Sequence, residues 1–261
     1  MLSDKEIERN RYDNKALKIS GYINRDYYSK LYGISSFNTY LKAPYEKYYA
    51  LITNYITEKH TVLELGSGIG NHTEAILKTR SKVIASDISV NSLNILKNTF
   101  GNKYKKLKIL EADMEKIPLK DNSCDVVVSA GSISYGSKDL VRSEIFRLLK
   151  PGGYLIIVDS LNNNLFYTTN RYLRYLFGNR SKSTLRNMYK FSDFEKFKSN
   201  YDIKEINFFG SIIWIVPIIK FFLSDDMINK VINRFDSLIN VKKSAFKFTL
   251  VLRKHLSKQS N

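Results

Sequence analysis

Cysteine and histidine are scarce in this chain of 261 residues: one cysteine, Cys124, and three histidines, His60, His72 and His255. A lone cysteine excludes an intramolecular disulfide and leans toward the cytosol. No helix N-terminus or basic neighbour is evident beside Cys124 to hold a thiolate. It is read as a small buried residue just before a strand. The histidines show no paired metal-ligand spacing, so the sequence gives no metal site. A signal peptide is also missing, because the first seventeen residues, MLSDKEIERNRYDNKAL, are charged throughout; the chain is expected to stay inside the cell. Neither an internal repeat nor a low-complexity linker interrupts it. One long apolar stretch exists, residues 206–223 (INFFGSIIWIVPIIKFFL), with a single charge. Its length is at the lower edge of a spanning helix. Gly210, Pro217 and Lys220 argue against a span. The stretch is read as the end of a strand and then a buried or membrane-facing helix.

What the chain does have is VLELGSGIG, residues 62–70, an apolar run that ends in an acid and three alternating glycines. A buried strand turns here into a ligand-holding helix. Glycine lets the backbone take positive φ and lets a ligand approach the main chain closely. The dinucleotide fingerprint is GxGxxG with an acid about twenty residues on. This spacing is GxGxG, and Glu64 stands two residues before the first glycine. A carboxylate at the strand mouth repels a pyrophosphate and suits a ligand with an ammonium group and no phosphate, such as S-adenosyl-L-methionine. A solvated strand end for Glu64 and N-cap roles for the later aspartates remain the alternatives at this point.

ELGSGIG resembles motif I of the class I S-adenosylmethionine-dependent methyltransferases, of the methyltransferase type 11-like kind. Other elements of that family follow in order. KVIASD (82–87) reads as a second strand ending in Asp87, which the resemblance assigns to the ribose hydroxyls. KILEADM (108–114) reads as a third strand ending in Asp113 and Met114, which the family sets against the adenine. DVVVSA (125–130) and LLKPGGYLIIVDS (148–160) complete the likeness over roughly residues 60–160. The resemblance implies cofactor contacts from Glu64, Gly66, Ser67, Gly68 and Gly70. It implies the same of Asp87, Ile88, Asp113, Met114 and Ser129. His72, just past the glycines, and Tyr135, after the fourth strand, are the candidates on the acceptor side.

Strands alternate with helices at 71–79, 89–100 and 137–149, which predicts a parallel sheet with right-handed crossovers. Residues 202–209 and 245–253 alternate as strands around a helix at 225–240. The fold expected is α/β: a Rossmann-like seven-stranded, mostly parallel sheet with an antiparallel last strand, flanked by helices, with further N-terminal helices. Three regions make one compact domain: an N-terminal helical lid (1–59), a cofactor-binding core (60–160) and an acceptor-side insertion with the remaining strands (161–261). The first region is polar and then tyrosine-rich, at Tyr22, Tyr27, Tyr28, Tyr32, Tyr40, Tyr45, Tyr48 and Tyr49, and apolar spacing over 45–56 predicts a helix leading into the first strand. With 43% apolar residues the chain can fill such a core.

Charge is unevenly spread. The net charge is +17, and residues 161–261 carry 18 of the basic residues against 7 acidic ones. A localised positive field concentrates an anionic partner. Arg171, Arg174, Arg180, Lys182 and Arg186 interleave with Tyr167, Tyr172, Tyr175, Phe177 and Tyr189, a composition seen where bases stack or phosphates are held. A plain solvated face is the other reading. The apolar stretch beside it has the composition of an interfacial element and favours a lipid-linked or membrane-proximal acceptor. After the fourth strand the chain reads Ser129, Ala130, Gly131, Ser132, without the NPPY or DPPY tetrad of amino-methylating nucleic-acid enzymes. The reading is a methyltransferase acting on a small-molecule or glycan acceptor, anionic, through oxygen: a nucleotide- or lipid-linked sugar of surface polysaccharide biosynthesis. An RNA methyltransferase and a non-catalytic cofactor-binding protein are the alternatives. The expected location is cytoplasmic, at the inner face of the membrane in the finer version. The oligomeric state is not read from the sequence.

Overall fold

The computed structural model describes residues 3–20, 41–176, 181–239 and 241–256. Tyr22, Tyr27, Tyr28, Tyr32, Tyr40, Phe177 and Arg180 therefore lie outside the described residues. Seven strands form there: β1 (Thr61–Leu65), β2 (Lys82–Asp87), β3 (Leu107–Glu111), β4 (Cys124–Ala130), β5 (Leu149–Ser160), β6 (Tyr201–Phe209) and β7 (Lys247–Lys254). Their order is β3-β2-β1-β4-β5-β7-β6. Pairings from β3 through β5 are parallel, while β7 runs antiparallel to both its neighbours. The last strand thus opposes the other six, as expected. Val126, Val127 and Val128 are all buried although successive strand side chains point to opposite faces. Such a run needs cover on both sides, which is the position of a central parallel strand.

Helices supply that cover: α1 (Asp4–Ser20), α2 (Ala43–Tyr55), α3 (Thr73–Leu77), α4 (Val90–Phe100), α5 (Lys138–Leu148), α6 (Leu165–Leu176), α7 (Lys182–Asn187), α8 (Val216–Ile219) and α9 (Asp225–Leu238). One face of the sheet packs Leu63, Leu65 and Val127 with Ile145 and Leu148 of α5. The opposite face packs Val62, Val126 and Val128 with Tyr48, Leu51 and Ile52 of α2 and Leu96 of α4. Ser89 caps α4 by accepting from the Ser92 amide, and Leu93, Leu96 and Phe100 recur at helical spacing on its buried side. Cys124 is buried, as its context suggested.

Three expectations change. The helix expected at 71–79 shrinks to five residues, because the glycine turn keeps its non-helical backbone through Gly70 (φ +95°). The third strand stops at Glu111, short of Asp113, whose Oδ1 accepts the Glu115 amide at 3.0 Å and bends the chain away. Three members of the basic and aromatic set, Tyr167, Arg171 and Tyr189, point inward. The buried Tyr167 hydroxyl donates to Gly210 O at 2.9 Å, Arg171 Nη1 donates to Leu161 O at 2.7 Å, and Tyr189 packs on Phe197 and Phe248. Tyr172, Lys182 and Arg186 stay exposed. Among the described residues no helix is long and apolar enough to cross a membrane.

Candidate functional site

β1, β2 and β4 end side by side, and the connections from β1 and β4 lead toward opposite edges of the sheet. Open α/β sheets hold ligands at this switch point. A cavity of about 220 Å³ lies there. Gly66, Ser67, Gly68, Asp87, Ile88, Asp113 and Met114 line it, together with His72 and Tyr135. The structure thus brings most of the expected residues to one surface.

Each is positioned by main-chain chemistry. Asp87, the last residue of β2, accepts the Gly68 amide on Oδ2 at 2.8 Å and the Ser89 amide on Oδ1 at 2.9 Å. Burial pushes its carboxyl above the ordinary range, opposed by these amides. Ser132 donates to Leu65 O at 2.7 Å, tying the end of β1 to the loop after β4. Gly68 has φ +54°, and nothing lies within 4 Å of where its Cβ would stand. Ser67 carries a buried hydroxyl with no hydrogen-bond partner in the structure. An open glycine, an orphan hydroxyl and a strand-end carboxylate fit a ligand that brings an amino acid group and ribose hydroxyls of its own.

Glu64, Gly70 and Ser129 do not reach the cavity. Glu64 is 2% exposed and accepts from Thr73 Oγ1 at 2.7 Å, on the side of the sheet that carries Val62 and Tyr48. Its carboxyl, which burial pushes up to about 7, does not line the cavity. A Cβ on Gly70 would stand 2.8 Å from Phe100, so this glycine lets α4 approach. Ser129 is buried and its hydroxyl meets Ser132 Oγ at 2.8 Å.

The sequence reading expected a helical lid over 1–59 but named no site residue in it, and α1 supplies several. Lys5, Glu8, Tyr12, Lys15 and Ala16 all line the cavity. Lys5 Nζ contacts both Asp113 and Glu115, Ser89 Oγ donates to Asp13, and Tyr12 OH donates to Tyr135 OH at 2.8 Å. Burial and the neighbouring Tyr135 hold the Tyr12 hydroxyl protonated. This helix is charged nearly all round and buries little apolar surface, so periodicity carries no sign of it. His72 stacks on Tyr45, with ring centroids 5.0 Å apart, and its Nδ1 meets Tyr49 OH at 2.8 Å. Burial, with the nearby Lys247 charge, lowers its pKa to about 4 and leaves the ring neutral at neutral pH. Among the described residues no cluster of His, Cys, Asp and Glu could hold a metal ion.

Comparison with known proteins follows the same segment. Residues 63–157 match the family described as a methyltransferase domain. An uncharacterized methyltransferase of Schizosaccharomyces pombe is 34% identical over 110 residues, covering 42% of this chain and 42% of that protein. The sterol 4-C-methyltransferase of Caenorhabditis elegans is 32% identical over 139 residues, 49% of this chain and 42% of that one. The chain therefore spans under half the length of these curated relatives. Phosphoethanolamine N-methyltransferase 2 of Haemonchus contortus, solved with phosphomonomethylethanolamine and S-adenosylhomocysteine, superposes with a TM-score of 0.55 at 18% identity, over 89% of this chain and 60% of that chain. At that identity the likeness shows the fold.

Proposed function

We propose, from the premise that residues 63–157 form a class I S-adenosylmethionine-dependent methyltransferase domain, that this chain methylates a small-molecule or glycan acceptor. The cofactor S-adenosylmethionine supplies a methyl group activated on sulfur, and the enzyme's main task is alignment of the acceptor with it. In this reading residues 1–59 act as a lid, 60–160 hold the cofactor and 161–261 shape the acceptor side. Asp87 takes the ribose hydroxyls, Ile88 and Met114 flank the adenine, and Ser67 and the Gly68 turn take the amino acid end. Asp113 reads the adenine amine beside Lys5.

Acceptor-side roles fall to His72 and Tyr135. A neutral His72 accepts a hydrogen bond from an acceptor hydroxyl and orients it, while its depressed pKa makes it a weak base. Tyr135, held by Tyr12, stands opposite as a positioning hydroxyl. Oxygen methylation of a sugar on a nucleotide or lipid carrier, in the cytoplasm, is the finer reading. Two features support a discrete acceptor: α1 roofs the cavity, and the basic aromatic segment proposed to stack RNA spends Tyr167, Arg171 and Tyr189 on the interior.

The joint placement of Gly68, Asp87 and Asp113 around one cavity carries the proposal. Calorimetric titration with S-adenosylmethionine tests it, and Asp87→Ala is expected to weaken binding at least about tenfold, the equivalent of one charged hydrogen bond. Unchanged affinity would sink the cofactor site as drawn. A screen with labelled cofactor against nucleotide sugars and bulk RNA then decides the acceptor. RNA activity that declines steeply with salt would replace the glycan reading, and binding without turnover would leave a cofactor-binding protein.

A further inference from the structure

Away from the cavity, the segment that follows β6 exposes a run of large apolar side chains. After Phe209 the chain turns at Gly210, whose amide, with that of Ser211, donates to the Asp236 carboxylate. Val216 packs inward against Ile228 and Ile232 of α9. That anchoring throws the next side chains outward. Ile218 is 64% exposed, Phe221 85% and Phe222 82%. Trp214, the single tryptophan of the chain, lies beside them at the surface and stacks on the exposed Phe166, with ring centroids 4.6 Å apart. Met227, Val231 and Leu238 continue an exposed stripe along α9. Adjacent Phe residues at a turn tip, fully open to water, have no folding role.

Charge identifies what covers them. Lys220, Lys230, Arg234, Lys242 and Lys243 are all exposed around this surface. The acids on the same elements are Asp225, Asp226 and Asp236. Of these, Asp236 is turned onto the Gly210 and Ser211 amides, and Asp225 lies 3.9 Å from Lys220. Aromatic and aliphatic tips rimmed by lysine and arginine form the composition of an element that inserts at the headgroup level of an anionic bilayer. No helix among the described residues is long and apolar enough to span.

We propose that the protein docks on anionic membrane surfaces through Trp214, Ile218, Phe221 and Phe222, with the surrounding lysines and Arg234 on the phosphates. The docking surface stands apart from the cofactor cavity. Its consequence for the acceptor, delivery of an amphiphile to the methyltransferase site, rests on the proposed function.

The test uses the full chain and vesicles of pure phosphatidylcholine or of phosphatidylcholine with 30% phosphatidylglycerol, read by co-sedimentation and by Trp214 fluorescence. Binding to the anionic vesicles with a blue shift, and at least about tenfold weaker binding to the neutral ones, is expected. Phe221→Ser combined with Phe222→Ser is expected to abolish sedimentation while S-adenosylmethionine affinity and thermal unfolding stay at the starting values. Lys242→Glu with Lys243→Glu is expected to weaken binding and to leave what remains less sensitive to salt. Failure to bind anionic vesicles, or binding that survives loss of both phenylalanines, overturns the proposal. So does a dimer in sedimentation velocity that the Phe pair variant dissolves, because a second copy would then cover the patch. A chain that binds vesicles without binding cofactor would refute the methyltransferase reading alone.

Discussion

Glu64 offers the sharpest check on the site, because a buried acid that lies off the cavity has to show itself in stability. Its carboxyl is shut off beside Tyr48, has Thr73 as its hydrogen-bond donor, and ionises near pH 7 where an open glutamate ionises at 4.5. Between those two pH values the folded protein holds a proton that the unfolded chain has released. Stability from this group is full below pH 4.5 and is lost as pH rises to about 7. At about 1.4 kcal/mol per pH unit, the loss amounts to about 3 kcal/mol. His72 acts in the opposite sense. Its pKa falls from 6.5 to about 4, so its contribution is present above 6.5 and is lost as pH falls through 4. The two slopes nearly offset in the starting protein. Glu64→Gln keeps an acceptor for Thr73 and removes one slope only. Urea unfolding from pH 4 to pH 8 is expected to show the variant gaining about 3 kcal/mol on the starting protein across that range. His72→Gln is expected to show the reverse trend. A Glu64→Gln difference that stays flat with pH to within about 0.5 kcal/mol would refute the burial of this acid, and with it its placement away from the cavity.

The last two glycines of the turn should separate binding from folding. Gly68→Ala adds a methyl group toward open space at a left-handed residue and costs about 1 kcal/mol of strain; its main effect is expected in weaker S-adenosylmethionine binding by calorimetry. Gly70→Ala drives a methyl group into Phe100 and should cost about 2–4 kcal/mol in urea unfolding. Equal loss of stability in the two variants would contradict their assigned roles. Tyr12→Phe removes the hydroxyl that ties α1 to Tyr135, and at about 1 kcal/mol per hydrogen bond the cofactor should dissociate about fivefold faster in stopped flow. An unchanged rate would show that this contact does not hold the lid.

The sequence by itself determined the donor side. Valine runs that need cover on both faces, glycines where the backbone must turn left-handed and aspartates at or just past two strand ends are local requirements, and local spacing records them. That is why the sheet, its antiparallel last strand and the positions of Asp87 and Met114 were legible. Burial is a property of neighbours distant in the chain, and only the tertiary structure decided it. The alternating pleat set Glu64 against Tyr48, close approach of α4 gave Gly70 to Phe100, and the fold of α6 spent Arg171 and Tyr167 on the interior. A charged helix with hardly any apolar stripe became the roof of the cavity largely through polar contacts, with Ala16 packed on Ile69. Phe221 and Phe222, which a hydrophobic reading would bury, stand in water because α9 had already filled the inner side of that turn.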